Sequence, residues 1–158
     1  MRLSRPSFLR AAAPLLLALA TVFAAACSRP LTVEQQVIAS IRDMEALVED
    51  GKSLAFMQHI DRQFVGQDGA LNHDQVRALL VLQLKRYQRL QAQLFPIDVT
   101  PAGDDVATAT FRALVTGGPH WIPENGQVYE FRTSWHKVDG DWLLLAANWT
   151  PVNLEDVL

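Results

Sequence analysis

At Phe95 the spacing of apolar residues changes from about four to two, and that change confines the chain to a small set of folds. Before it, every strong pattern is helical. Thr32 can cap a first helix with Gln35 as its capping-box partner, and Val37, Ile41, Met44 and Val48 follow on one face. Gly51 supplies a stop. A short second helix is expected over Leu54 to Ile60, begun by Ser53, and Phe64 to Gly69 reads as a brief strand and turn. Asn72 then caps a third helix with Val76, Leu80, Leu84, Tyr87, Leu90 and Leu94 on its apolar side. Arg77, Lys85, Arg86 and Arg89 occupy the other side, as a solvated face.

After Phe95 the chain alternates. Phe95, Ile97 and Val99 are separated by Pro96 and Asp98, and Val106 to Thr116 is a β-branched and alanine run. From Gln127 to Val138, Tyr129, Phe131, Thr133 and Trp135 alternate with Glu130, Arg132, Ser134 and His136. Asp139-Gly140 is a tight-turn pair, so Trp142 to Thr150 should return antiparallel. Helices followed by a meander make an α+β domain, with three N-terminal helices packed on one face of an antiparallel sheet.

The first 26 residues do not belong to that domain. Ten residues with three arginines and no acid precede sixteen uncharged residues, Ala11 to Ala26, which end in Ala24-Ala25-Ala26-Cys27-Ser28. Basic head, apolar middle and small residues at the cut make an export signal. The apolar run is short for a membrane span, which needs about 20 residues, and Pro14 interrupts it. Two cleavage patterns overlap here: Ala24-x-Ala26 suits ordinary signal peptidase, and small residues running directly into Cys27 resemble a bacterial lipobox. Cys27 is the sole cysteine, and diacylation there would tether the chain firmly. The expected organisation is a lipoprotein-type signal over 1–26, a lipidated tether over 27–31, a domain over 32–152 and a tail over 153–158. Ser28 after the cysteine points to the outer membrane, facing the periplasm.

Losing Arg2, Arg5 and Arg10 takes the formal charge from −3 to −6. An acidic domain with no basic stripe is a poor nucleic-acid binder. His59, His73, His120 and His136 have no metal-ligand spacing, no glycine-rich phosphate loop occurs, and no Gly-x-Ser-x-Gly elbow is present. No cofactor is expected.

The Val-Ala-Thr-Ala-Thr-Phe strand at 106–111, the aromatic strand to Trp135, the Asp-Gly-Asp-Trp turn at 139–142 and the strand to Asn148-Trp149 together resemble the nuclear transport factor 2-like proteins of the cystatin-like α+β superfamily. The resemblance spans about residues 32 to 152. It implies a strongly bent sheet wrapped around the long helix, forming a cone with a pocket at its wide end. Its enzymes, such as ketosteroid isomerases, place acids, histidines or tyrosines in that cone. Many relatives are binding or assembly modules, and they often dimerise through the sheet. Fold alone leaves that choice open.

The residues can be sorted on that frame. Asp61 or Asp68, with Tyr129 or His120, would serve an isomerase, dehydratase or cyclase. The first helix lacks the tyrosine that ketosteroid isomerases use, so the expected function is non-catalytic: capture of a small apolar ligand, or contact with an envelope protein. The expected pocket lies between the third helix and the sheet, bounded by Leu84, Tyr87, Phe111, Tyr129, Trp135 and Asn148, with Trp121 near its mouth. The family's inward parity would turn Asn148 inward beside Trp142 and Leu144. A homodimer is expected through Val106, Thr108, Thr110, Leu114, Leu143 and Leu145 on the outer sheet face.

Overall fold

The computed structural model describes residues 30–87, 89–118 and 125–153. The signal segment, Cys27, His120 and Trp121 lie outside the described residues. The chain divides into two units between Leu31 and Thr32, and the second carries the fold.

Helix α1 spans Val33–Glu49, and Thr32 and Gln35 close the reciprocal capping box. After it Gly51 takes φ +70°, the left-handed geometry that ends a helix without a Cβ penalty. Helix α2, Ser53–Gln58, stops two residues short of the expected end because Ile60 opens strand β1, Ile60–Gly66. A 3-10 turn over Gln67–Gly69 and the two-residue strand β2, Leu71–Asn72, lead into helix α3, His73–Arg86, where Asn72 and Gln75 form a second capping box.

Helix α3 is shorter than its pattern. Leu90 and Leu94 continue the helical spacing, but Arg89–Leu94 is strand β3, with each residue in register against Thr116, Val115 and their neighbours on β5. Leu90, Ala92 and Leu94 also fit a period of two, and the pairing with β5 selects that reading. Strand β4, Asp98–Pro101, lies end to end with β3 along the same side of β5, Val106–Gly118. Strands β6, Asn125–Val138, and β7, Asp141–Val152, form a hairpin through Asp139 (φ 52°) and Gly140 (φ 97°).

The sheet runs β2-β1-β7-β6-β5-β3. It is mixed rather than antiparallel throughout, since β1 lies parallel to β7. Beyond Gly66 the chain leaves β7, and the Gln67 side chain continues the ladder in place of a peptide: its Nε2 donates to Trp149 O (2.9 Å) and its Oε1 accepts from Trp149 N (3.3 Å). The helices share one sheet face. Val37 (0 % exposed), Ile41 and Met44 from α1 pack with Ala107, Ala109, Trp135, Trp142 and Leu144. Small alanines on β5 let the helix approach closely, and Trp135 (2 % exposed) fills the space beside them.

One irregularity decides which side chains share that face. Along β7, Ser134 pairs with Ala146 but Trp135 pairs with Leu144, so Leu145 is an extra residue, a β-bulge. Trp142 and Leu144 face the helices before it, and Ala147 and Trp149 face them after it. Asn148, expected inward from simple alternation, therefore points to the opposite face. There its Nδ2 donates to Asp68 Oδ1 (2.7 Å), and its Oδ1 accepts from Asp68 N (3.0 Å).

Candidate functional site

Helix α3 contributes no buried residue. Val76, Leu79, Leu80 and Gln83 cover a space that they do not fill, and beneath them is a cavity of about 310 Å³. Its floor is Phe111, Phe131, Trp135 and Trp149 from the sheet, and its side walls come from Ile41, Met44, Glu45 and Val48 of α1 and from Leu90, Ala92 and Leu94 of β3. The floor aromatics form a stack. Phe111 and Phe131 are register partners with ring centroids 5.1 Å apart, and Trp149 continues the row at 6.2 Å. Offset rings of this kind hold one another in place, which keeps the floor rigid.

Three polar side chains border this apolar space. Thr133 Oγ1 donates to Ala109 O (2.9 Å) and accepts from Trp135 Nε1 (2.8 Å), so its hydroxyl is used internally. Glu45 Oε1 accepts from Leu94 N (3.1 Å) and its Oε2 meets Arg42 Nη1 (2.9 Å). Gln83 makes no side-chain hydrogen bond among the described residues, and Leu79, one turn earlier on α3, is 38 % exposed. That side is the mouth.

The sequence-expected residues divide on this geometry. Phe111 and Trp135 line the cavity. Tyr129 stands on the same strand face as Phe131, 6.4 Å away, but beyond the lining. Leu84 is half-buried on α3 and does not border the space. Tyr87 follows the helix and lies flat on Gly117, where a Cβ would come within 2.7 Å of its ring, with the Arg86 guanidinium 5.7 Å from its centroid. Asn148 faces away from the cavity, and Trp121 is not described. The lining residues that the sequence did not place in the pocket include Glu45, Gln83, Phe131, Trp149 and the even-numbered side of β3. For the last, the Leu90-Ala92-Leu94 alternation was the available signal.

The candidate acids lie elsewhere. Asp61 Oδ2 is 2.9 Å from His136 Nε2, and Asp68 is bonded to Asn148. His136 follows Trp135 on β6 and so projects from the face opposite the cavity. The Gln63 backbone N–H (2.6 Å) holds the Asp61 carboxyl below the ordinary carboxylate value; partial burial opposes this, and His136 reinforces it. A depressed carboxyl stabilises the fold at neutral pH, and that contribution fades as pH falls below about 4 and through the folded value. Asp61→Asn should therefore flatten the acid limb of a melting-temperature profile measured between pH 6 and 2.5, and an unchanged limb would refute this role. Among the described residues no three His, Cys, Asp or Glu side chains are placed to hold a metal ion, and no helix is long and apolar enough to cross a membrane.

No protein-family model matches the chain, and no curated protein matches it. Solved structures do. A nuclear transport factor 2-like protein with a cystatin-like fold from Novosphingobium aromaticivorans aligns over 92 % of this chain and 93 % of its own, at 15 % identity and a TM-score of 0.63. A cystatin-like-fold protein from Caulobacter vibrioides aligns over 77 % and 91 %, at 15 % identity and a TM-score of 0.63. Bd1075 from Bdellovibrio bacteriovorus aligns over 76 % of this chain at 10 % identity and a TM-score of 0.66, where the match spans 41 % of that longer protein. Identities this low carry architecture and nothing about activity. Three helices on one face of a seven-stranded mixed sheet, with a cavity between α3 and that sheet, give this chain the nuclear transport factor 2-like, cystatin-like fold.

Proposed function

We propose that the chain is an exported, lipid-anchored domain that binds a small apolar ligand, held by acyl groups on Cys27 at the periplasmic side of the outer membrane. The observation that carries the binding reading is the cavity, about 310 Å³ with nearly all-carbon walls and an aromatic floor. Ligand sites have this composition, with a few polar groups placed at one side. The address rests on the leader: three arginines, an uncharged run, and Ala-Ala-Ala-Cys. Acylation is checked by mass spectrometry of the N-terminal peptide, and an unmodified Cys27 or a retained signal defeats it.

The enzyme alternative, an isomerase, dehydratase or cyclase, needs an acid or base within reach of the ligand. Asp61 and Asp68 do not border the cavity, and Glu45, the one carboxylate among the lining residues, is engaged by Leu94 N and Arg42. Binding without chemistry is the better account of these contacts. For association, the sheet face opposite the helices exposes Val106, Thr108 and Thr110, and a second copy is the partner proposed for it. Light scattering at tens of micromolar should report a dimer, and a monomer there counts against it.

The cavity itself is tested by filling it. Ala113 lines the floor and is buried, so Ala113→Trp projects an indole into the space. Overpacking costs about 1–3 kcal/mol, which a stable domain survives. The variant should keep its far-ultraviolet circular dichroism and lose at least about tenfold in affinity for the apolar fluorophore N-phenyl-1-naphthylamine, the 1.4 kcal/mol scale of a blocked site. Parental binding by the folded variant would place the fluorophore elsewhere and end this reading.

A further inference from the structure

We propose that the ligand is an uncharged, lipid-like molecule of about twelve carbons, whose single hydroxyl or carbonyl head is hydrogen-bonded by the Gln83 side-chain amide. This rests on the binding reading above and adds the chemistry of the ligand. Size comes from the volume: an engineered apolar cavity of about 150 Å³ accepts benzene, so roughly twice that space suits roughly twice the carbon. The cavity measures about 310 Å³.

The head group follows from counting unused hydrogen-bonding capacity. Thr133 is spent on Ala109 O and Trp135 Nε1, in the floor. Glu45 already accepts from Leu94 N and Arg42 and, as a carboxylate, has no donor to give a carbonyl. Gln83 alone borders the cavity with no side-chain partner among the described residues, and it sits half-buried at the mouth beside Leu79. An amide offers both a donor and an acceptor, so it answers a hydroxyl or a ketone equally well. It cannot compensate the desolvation of a full charge. A carboxylate would also meet Glu45 on the neighbouring wall, where Arg42, the cation beside it, is turned to Glu45 Oε2 and does not line the space. An ammonium would have to share Glu45 with the two donors already on it. The lining thus disfavours both ions and leaves the neutral head.

The experiment displaces N-phenyl-1-naphthylamine from the full chain at pH 7 with 1-dodecanol, 2-dodecanone, dodecanoate and dodecylammonium. The alcohol and ketone should displace it at least about tenfold more tightly than either ion. Gln83→Leu should weaken the alcohol and ketone by about 2- to 12-fold, the range one neutral hydrogen bond is worth, each measured against the fluorophore affinity of the same variant. Gln83→Glu, with nearly the same shape, should move the preference toward dodecylammonium. Tightest binding of either ion by the parent protein, or unchanged alcohol and ketone affinities in Gln83→Leu, overturns the head-group assignment and leaves the apolar cavity standing. Failure of the parent protein to bind the fluorophore overturns both.

Discussion

Trp135→Ala should lower the unfolding free energy by about 3–5 kcal/mol, the range for removing a large buried aromatic ring. Trp135 is among the largest fully buried side chains, and it stands between the helix-facing alanines of β5 and the cavity. Truncation leaves a void that joins the existing one, so the surroundings cannot close over it. It also removes the Nε1–H that Thr133 accepts, although the Thr133 hydroxyl keeps its bond to Ala109 O. Against a total stability of about 5–15 kcal/mol this is a large fraction. Urea denaturation checks it, with the midpoint falling and the slope held. A loss under about 1 kcal/mol would mean that the ring is a ligand platform and contributes little to the core.

Deleting Leu145 should be tolerated, and we expect the variant to keep a cooperative folding transition at neutral pH. A strand alternates with a period of two, and Leu145 is the residue of β7 that stands outside that alternation. The Asp139-Gly140 turn pins Trp142 and Leu144 inward from one end. The Gln67–Trp149 and Asp68–Asn148 bonds pin the far end. Without the extra residue, Leu144, Ala146 and Ala147 follow one another against Trp135, Ser134 and Thr133, and both ends keep their faces. Leu145→Ala keeps the extra residue and should also retain the parental fold, so the pair separates backbone count from side-chain loss. Near-ultraviolet circular dichroism and thermal melts read the result, and loss of the cooperative melt in the deletion variant alone would refute the register argument.

What could be read from the sequence divides along the same line between local and distant causes. Thr32 with Gln35, Asn72, Gly51 and Asp139-Gly140 act within a few residues, and each appears where its chemistry places it. The end of α3 is different. No glycine or proline interrupts the chain between Asn72 and Phe95, and β3 exists because β5 lies alongside to pair with it. Asn148 was assigned to the wrong face because a bulge leaves no mark on composition. In the cavity, Phe111 and Trp135 were legible as inward aromatics on strands. Glu45 and Gln83 were not, since a charged or amide residue on a helix reads as solvent-facing until the elements around it are in place.

The glutamates of α1 have one more consequence. Strand β3 ends the sheet, and Ala92 and Leu94 turn their N–H groups away from β5, out of the ladder. Bare edges of this kind recruit strands from other molecules and begin aggregation. Here Glu49 takes the Ala92 N–H (3.2 Å) and Glu45 takes the Leu94 N–H (3.1 Å), from consecutive turns of one helix. An incoming strand would find those donors occupied and two carboxylates in its path. Molecules crowded onto a surface, as a lipid tether would crowd them, meet at high local concentration, and there a plugged edge separates a dispersed film from a fibrillar deposit.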